Sequence, residues 1–391
     1  MRSGRHFLQI PGPTNTPERV QRAMHRAVID HRGPGFAELG AGVLEGLKAV
    51  FRTEHRVVIY PASGTGAWEA ALVNTLAPGD RVLMYETGQF ATLWKNMAAK
   101  LGFDPVFMQG DWRSGANAEA IGAQLRTDKT HAIKAVCVVH NDTATGVTSD
   151  IAAVRRAMDE AGHPALLLVD TISSLGSIDF RMDEWGVDVT VAGSQKGLML
   201  PPGLSFNAIS PKAMAAAEAG GDRRSYWDWR DMAGPNDKGF FPYTPATTLL
   251  YGLREALDML AEEGLENVFA RHARHAEATR RAVAGWELEV LCRNPAEYSN
   301  SLTAVMMPGE KGADALRRIV LDGFDMSLGT GLNKVADKVF RIGHLGDFND
   351  LMLMGTLSGV EMGLRRADVA YKSGGAQVAM DYLADNPLQE T

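Results

Sequence analysis

The chain has 391 residues, 45% of them hydrophobic and 22% charged, which fits a folded protein of two domains around a large buried sheet and excludes extended disorder. A formal net charge of −7 and a pI near 5.8 argue against nucleic acid as a partner, since a phosphate backbone is held by basic patches. No apolar run approaches the ~20 residues that span a bilayer.

Residues 17–50 read as mostly helical, interrupted near Arg32-Gly-Pro34. From 56 to 208, apolar runs at 57–60, 81–85, 133–140, 165–170 and 189–193 alternate with helical periods at 66–76, 88–102, 117–125 and 150–162. The last of these helices opens at Ser149-Asp150, whose side chains suit the unpaired amides of a first turn. Strands alternating with helices predict a mostly parallel sheet covered on both faces, with ligands at the carboxyl ends of its strands. Residues 209–245 are irregular and aromatic, and a long helix, bent near Glu263-Gly264, is predicted over 246–285. After Trp286, strand candidates at 287–291, 301–307 and 338–343 alternate with helices at 311–321 and 348–365, as in a smaller α+β domain. The expected division is 1–20 as a segment packing on the small domain, 21–265 as the large domain and 266–391 as the small one.

Two cysteines occur, Cys137 and Cys292, neither in a Cys-x-x-Cys pair, and the ten histidines include no His-Glu-x-x-His. No metal is expected. Pro11-Gly-Pro13 comes before any signal-peptide apolar core, and Leu388–Thr391 carries no recognisable peroxisomal address, so a reduced cytoplasm is the expected compartment.

The chemistry concentrates at two strand ends. Residues 165–170 read Ala-Leu-Leu-Leu-Val-Asp, and 189–197 read Val-Thr-Val-Ala-Gly-Ser-Gln-Lys-Gly. A carboxylate and an ammonium at the ends of core strands are costly to bury without charged partners. Pyridoxal phosphate offers one to each: its aldehyde condenses with a lysine amine, and its ring nitrogen pairs with an aspartate. An ordinary strand-end Asp170 and a surface Lys196 are the alternative from spacing alone. Upstream, Arg56–Trp68 runs from a short strand through Ser63-Gly-Thr-Gly66 into a helix, a turn that can aim amides and hydroxyls at an anion. By itself such a turn is also a plain connection. Neither a Walker loop nor a spaced dinucleotide glycine pattern is present there.

Seven pieces occur in order: Pro11–Asn15, Ser63–Gly66, His140–Gly146, Val169-Asp170, Gly193–Gly197, Tyr243–Pro245 and Arg341–Gly343. Together they resemble the class V, fold type I pyridoxal-phosphate aminotransferases, and within them the serine–glyoxylate and alanine–glyoxylate branch, over about residues 10–365. The resemblance implies an α/β fold type I architecture, a mostly parallel sheet in a large domain plus a smaller C-terminal α+β domain, and pyridoxal 5'-phosphate as cofactor. It implies Lys196 as the lysine that bonds the cofactor and shuttles the substrate proton, with Asp170 on the ring nitrogen. Ser63, Gly64, Thr65 and Gln195 match positions around the phosphate, although some relatives carry histidine where this chain has Thr65. Phe90 matches an aromatic stacked on the ring, and Thr143 a hydroxyl near the phenolic oxygen. His140 and Asn141 are weaker candidates. Arg341 matches the clamp for the substrate carboxylate; without the resemblance it reads as a solvated edge-strand arginine.

Tyr243 and Thr244 match a segment that reaches the cofactor phosphate of a neighbouring subunit, implying a homodimer with shared sites. Phe241 stands where some relatives carry a tyrosine. His31 and Arg32 fall near the expected substrate entrance. The implied reaction moves the amino group of a small L-amino acid, foremost L-serine, to glyoxylate, giving hydroxypyruvate and glycine. Aspartate and alanine are alternative donors. A lyase or desulfurase of related fold is the alternative reaction, and a non-catalytic cofactor-binding protein the third reading.

Overall fold

The computed structural model describes residues 4–221, 224–309 and 312–388. Its strands are β1 (Phe7–Gln9), β2 (Arg56–Tyr60), β3 (Arg81–Tyr85), β4 (Asp104–Met108) and β5 (Ile133–Val139). A short corner follows, β6 (Asn141–Asp142) and β7 (Val147–Thr148), then β8 (Leu166–Asp170), β9 (Val189–Gly193) and β10 (Ser205–Ile209). The chain then adds β11 (Glu289–Val290), β12 (Leu302–Met306), β13 (Met326–Thr330) and β14 (Val339–Gly343).

Seven of these form one sheet in the order β2-β10-β9-β8-β5-β3-β4. All its pairings are parallel except those of β10, which runs antiparallel to β2 and β9. Successive side chains point to opposite faces, and both faces are apolar. Val57, Ile59, Val136, Val138 and Leu167 enter one core; Val58, Tyr60, Ala135, Cys137 and Leu168 enter the other. This double burial is why the strands read as continuous apolar runs. Five further strands form a second sheet, β1-β13-β14-β12-β11, in which β1 lies parallel to β13. A separate apolar cluster including Trp286, Val305, Leu328, Phe340 and Ile342 fills its core.

Several elements differ from the expected ones. The helix predicted over 246–285 is two helices, Thr247–Glu263 and Leu265–Gly285, broken at Gly264 with φ 79°. The stretch expected to be irregular contains helices Pro211–Ala219 and Trp229–Asn236, the second hidden in sequence by its Gly234-Pro235. Strand β10 escaped detection because its buried residues include Ser205 and Asn207, and β4 because it is a half-buried edge beginning Asp104-Pro105. The helix expected at 311–321 spans Ala313–Phe324; residue 311 lies outside the described residues. The cap at Asp150 forms as expected, its carboxylate accepting from the Ala153 N–H at 2.8 Å.

Candidate active site

Strands β8 and β9 are parallel neighbours, so Asp170 and the turn after Gly193 emerge at the same rim of the sheet. The helix Gly64–Thr75, which follows β2, packs on β9 and β10 and brings its first turn to that rim. One pocket is lined there by Ser63, Gly64, Thr65, Phe90, Thr143, Asp170, Gln195 and Lys196. Eight of the eleven expected positions therefore converge, although they are drawn from five separate stretches of chain.

Asp170 is buried, with each carboxylate oxygen accepting one hydrogen bond. Oδ1 takes the Ile172 N–H at 2.7 Å and Oδ2 the Trp68 indole N–H at 3.0 Å. Burial still raises its pKa to about 7, against the lowering effect of those two donors; Asp142 adds repulsion and Lys196 partly offsets it. Lys196 is equally enclosed. Burial, reinforced by the Arg341 charge and opposed by Asp170, draws its ammonium down to about 7. Among the described residues neither forms a salt bridge, and the Lys196 Nζ donates instead to the Pro11 carbonyl.

At the start of helix Gly64–Thr75, Ser63 occupies the N-cap position without making a side-chain capping bond, and among the described residues the buried Gln195 Oε1 has no hydrogen-bond partner. A helix start with an uncommitted hydroxyl favours an anion. A carboxylate held without a cation favours a positively charged donor, and an enclosed amine drawn toward neutrality is a nucleophile. These three features fit the phosphate, ring nitrogen and aldehyde of pyridoxal phosphate in turn.

Trp68 and Asp142, which the sequence did not single out, complete the site together with the weaker candidates Asn141 and His140. Trp68 fixes Asp170 and stacks on Trp94 at 5.9 Å with Phe90 at 6.4 Å. Its only local signal is its place one turn into the helix that follows the Ser63 turn. Asp142 is buried beneath Phe90, accepting from the Ala91 N–H at 3.4 Å and the Thr87 hydroxyl at 3.3 Å. It thereby anchors the start of helix Gln89–Lys100 and sets where Phe90 stands; burial raises its pKa to about 6. Asn141 lines the pocket and ties it to the second sheet, donating to the Ser173 hydroxyl at 2.8 Å and the Ser301 hydroxyl at 2.9 Å. His140 lies behind, its Nδ1 2.9 Å from the Ser174 hydroxyl, held neutral by burial that lowers its pKa to about 4.

Three expected residues stand outside the pocket lining. Arg341, on β14, is buried beside it and donates to the Thr143 carbonyl at 2.6 Å and the Thr330 carbonyl at 2.7 Å. It is a core arginine, not a solvated edge residue. The Tyr243 hydroxyl donates to the Ile59 carbonyl, its ring lies 5.2 Å from that of Tyr226, and Thr244 is exposed. His31 is half-buried and Arg32 exposed, with the Arg32 N–H on the Asp30 carboxylate at 2.9 Å.

The sheet order, the rim pocket and its buried lysine–aspartate pair define a fold type I transferase. A profile of the class-V aminotransferases matches residues 6–333, and the chain belongs to that family. It is 52% identical to a serine–glyoxylate aminotransferase of Methylorubrum extorquens, over 99% of this chain and 98% of that one. It is 48% identical to an L-aspartate–glyoxylate aminotransferase of Paracoccus denitrificans, over 90% and 89%. The crystal structure of a ureidoglycine–glyoxylate aminotransferase from Bacillus subtilis superposes with a TM-score of 0.92 at 26% identity, covering 99% of this chain and all of that one. No helix among the described residues is long and apolar enough to cross a membrane.

Proposed function

We propose that this aminotransferase uses pyridoxal 5'-phosphate to move the amino group of L-serine to glyoxylate, producing hydroxypyruvate and glycine. The observation that carries the reading is the buried, salt-bridge-free pair Lys196 and Asp170 at adjacent strand ends, in a chain half identical to a serine–glyoxylate enzyme. When bound, the cofactor supplies an aldehyde for the amine and a ring that withdraws electrons from the substrate α-carbon. Asp170 keeps a proton on the ring nitrogen, and Ser63, Gly64, Thr65 and Gln195 receive the phosphate. Phe90 covers one face of the ring, and Thr143 offers its hydroxyl to the phenolic oxygen. The Lys196 Nζ takes the α-proton and returns it, a task suited to an amine whose pKa is near neutrality. Arg341 receives the substrate carboxylate through a guanidinium fork.

Arg341→Ala should weaken every amino and keto acid by roughly 2–4 kcal/mol, the worth of a charge-assisted bidentate contact, while the cofactor stays attached. Steady-state KM values across substrates check this. Unchanged affinity would refute the assignment.

Aspartate is the rival donor, supported by the Paracoccus relative. Its side chain would need a second cation. Among the described residues lining the pocket, Lys196 is the only cation, with Arg341 behind it. A donor-by-acceptor activity matrix on purified enzyme decides: serine should lead with glyoxylate, and aspartate exceeding it tenfold in kcat/KM would overturn the donor. A desulfurase reading lacks a thiolate. Cys137 is buried in β5, where burial raises its pKa strongly, and burial lifts Cys292 to about 11.

The Phe240–Pro245 segment further supports a homodimer in which Tyr243 and Thr244 meet the partner's phosphate site. Sedimentation should find no active monomer at micromolar concentration; a fully active monomer would sink this part alone. Residues 1–20, 21–265 and 266–391 are proposed as terminal segment, large domain and small domain, supported by the two sheets and their separate cores. A reducing cytoplasm is the proposed compartment, in keeping with two free, buried cysteines.

A further inference from the structure

The Pro11-Gly-Pro-Thr14 stretch has no role in the reaction as described, yet it is hydrogen-bonded to the amine of Lys196. β1 anchors the chain to the second sheet through β13. From there residues 10–14 cross to the turn that carries Lys196. The Thr14 N–H donates to the Gln195 carbonyl and its hydroxyl to the Lys196 carbonyl, both at 3.1 Å. The Lys196 Nζ donates to the Pro11 carbonyl.

Glycine at position 12 is required by this arrangement. Its φ is +105°, and a Cβ there would overlap Cδ, Cε and Nζ of Lys196. On the opposite side, Gly343 of β14 leaves room for the Ile10 carbonyl, and both Pro11 and the Arg341 Nε lie against Gly329. The strap thus runs between the lysine and the strand that bears the guanidinium.

We propose that the strap formed by residues 10–14 is a positioning wall of the active site, with the Pro11 carbonyl as the acceptor that holds the Lys196 amine whenever that amine is not joined to the cofactor. This rests on the transaminase reading. An incoming substrate amine displaces the lysine, which then must stay within reach of the α-carbon as proton carrier. A flexible four-carbon stem would otherwise sample many rotamers. The Pro11 carbonyl accepts an N–H of the lysine amine and fixes where its proton is held.

The test uses Gly12→Ala, which displaces the lysine tip, and Thr14→Val, which keeps shape and backbone freedom but removes the hydroxyl that pins the strap. In cofactor-free protein, acetic anhydride labelling of Lys196, read by peptide mass spectrometry, should be at least tenfold faster in Gly12→Ala and about threefold faster in Thr14→Val. In loaded enzyme kcat should fall at least 30-fold in Gly12→Ala, with KM for serine changed less than threefold. If Gly12→Ala does not fold, Thr14→Val decides. Labelling within 1.5-fold of wild type in the folded variants would overturn the proposal. The underlying reading fails separately: borohydride would then fix no cofactor at Lys196 of the wild-type protein.

Discussion

Replacing Lys196 with alanine should abolish turnover, lowering kcat by roughly 10⁴-fold or more. In the proposed reaction the lysine serves both as nucleophile and as proton carrier, and a positioned acid–base group alone contributes roughly 10²–10⁴. The variant should still fold, because the substitution removes an amine that burial already disfavours in its charged form. Two measurements check this together. Borohydride should attach cofactor to the wild-type peptide containing Lys196 and to no peptide of the variant, and circular dichroism should be unchanged. Cofactor found on another lysine would invalidate the entire site assignment.

The second large effect is at Asp170. Asp170→Asn should cost roughly 2–5 kcal/mol of cofactor-dependent catalysis, since the ring nitrogen loses the anion that keeps it protonated. The same substitution should favour the cofactor-free protein increasingly as pH rises, and the sign follows from the raised pKa. A carboxyl near 7 in the fold and near 3.8 unfolded binds its proton more tightly when folded. Its contribution to stability is therefore fully present below about pH 4 and is lost as pH rises toward 7. Asparagine carries no charge to desolvate, but its amide nitrogen must face one of the two N–H donors that the carboxylate accepts, which costs roughly 1–3 kcal/mol at every pH. The difference between the proteins should therefore move in the variant's favour by roughly 2–3 kcal/mol between about pH 5 and pH 8. Urea unfolding of both cofactor-free proteins at the two pH values measures this shift directly. No shift, or a shift in favour of wild type, would mean that a protein cation neutralises Asp170, and the pocket would lose its reason to bind a positively charged ring. Together the two predictions describe a site stabilised for function at the expense of the empty fold.

The site's electrostatics depend on neighbours that no local pattern discloses. The Trp68 indole that fixes Asp170 lies 102 residues away in sequence, the Pro11 carbonyl that takes the Lys196 amine 185 away, and the Thr143 carbonyl on Arg341 198 away. Hydrophobic period, turn residues and caps act over a few residues, so they delimit elements without saying which elements meet.

Within that limit the sequence by itself determined a good deal. Strands buried on both faces read as apolar runs, and their alternation with helices dictated a mostly parallel sheet. Once the sheet was parallel, the charged ends of β8 and β9 had to share a rim, so Asp170 and Lys196 were legible together with the Ser63 turn. Tertiary structure alone decided the antiparallel insertion of β10, whose buried Ser205 and Asn207 break the apolar signature. It decided that Arg341 is enclosed behind Thr143 rather than solvated on an edge, and that Asp142 anchors the helix presenting Phe90. It also gave the Pro11–Thr14 strap a place, between lysine and guanidinium. The physical reason is common to all of these. Burying a polar group is tolerable only when a partner from a distant segment meets it, and that partner is chosen by the fold rather than by the neighbouring residues.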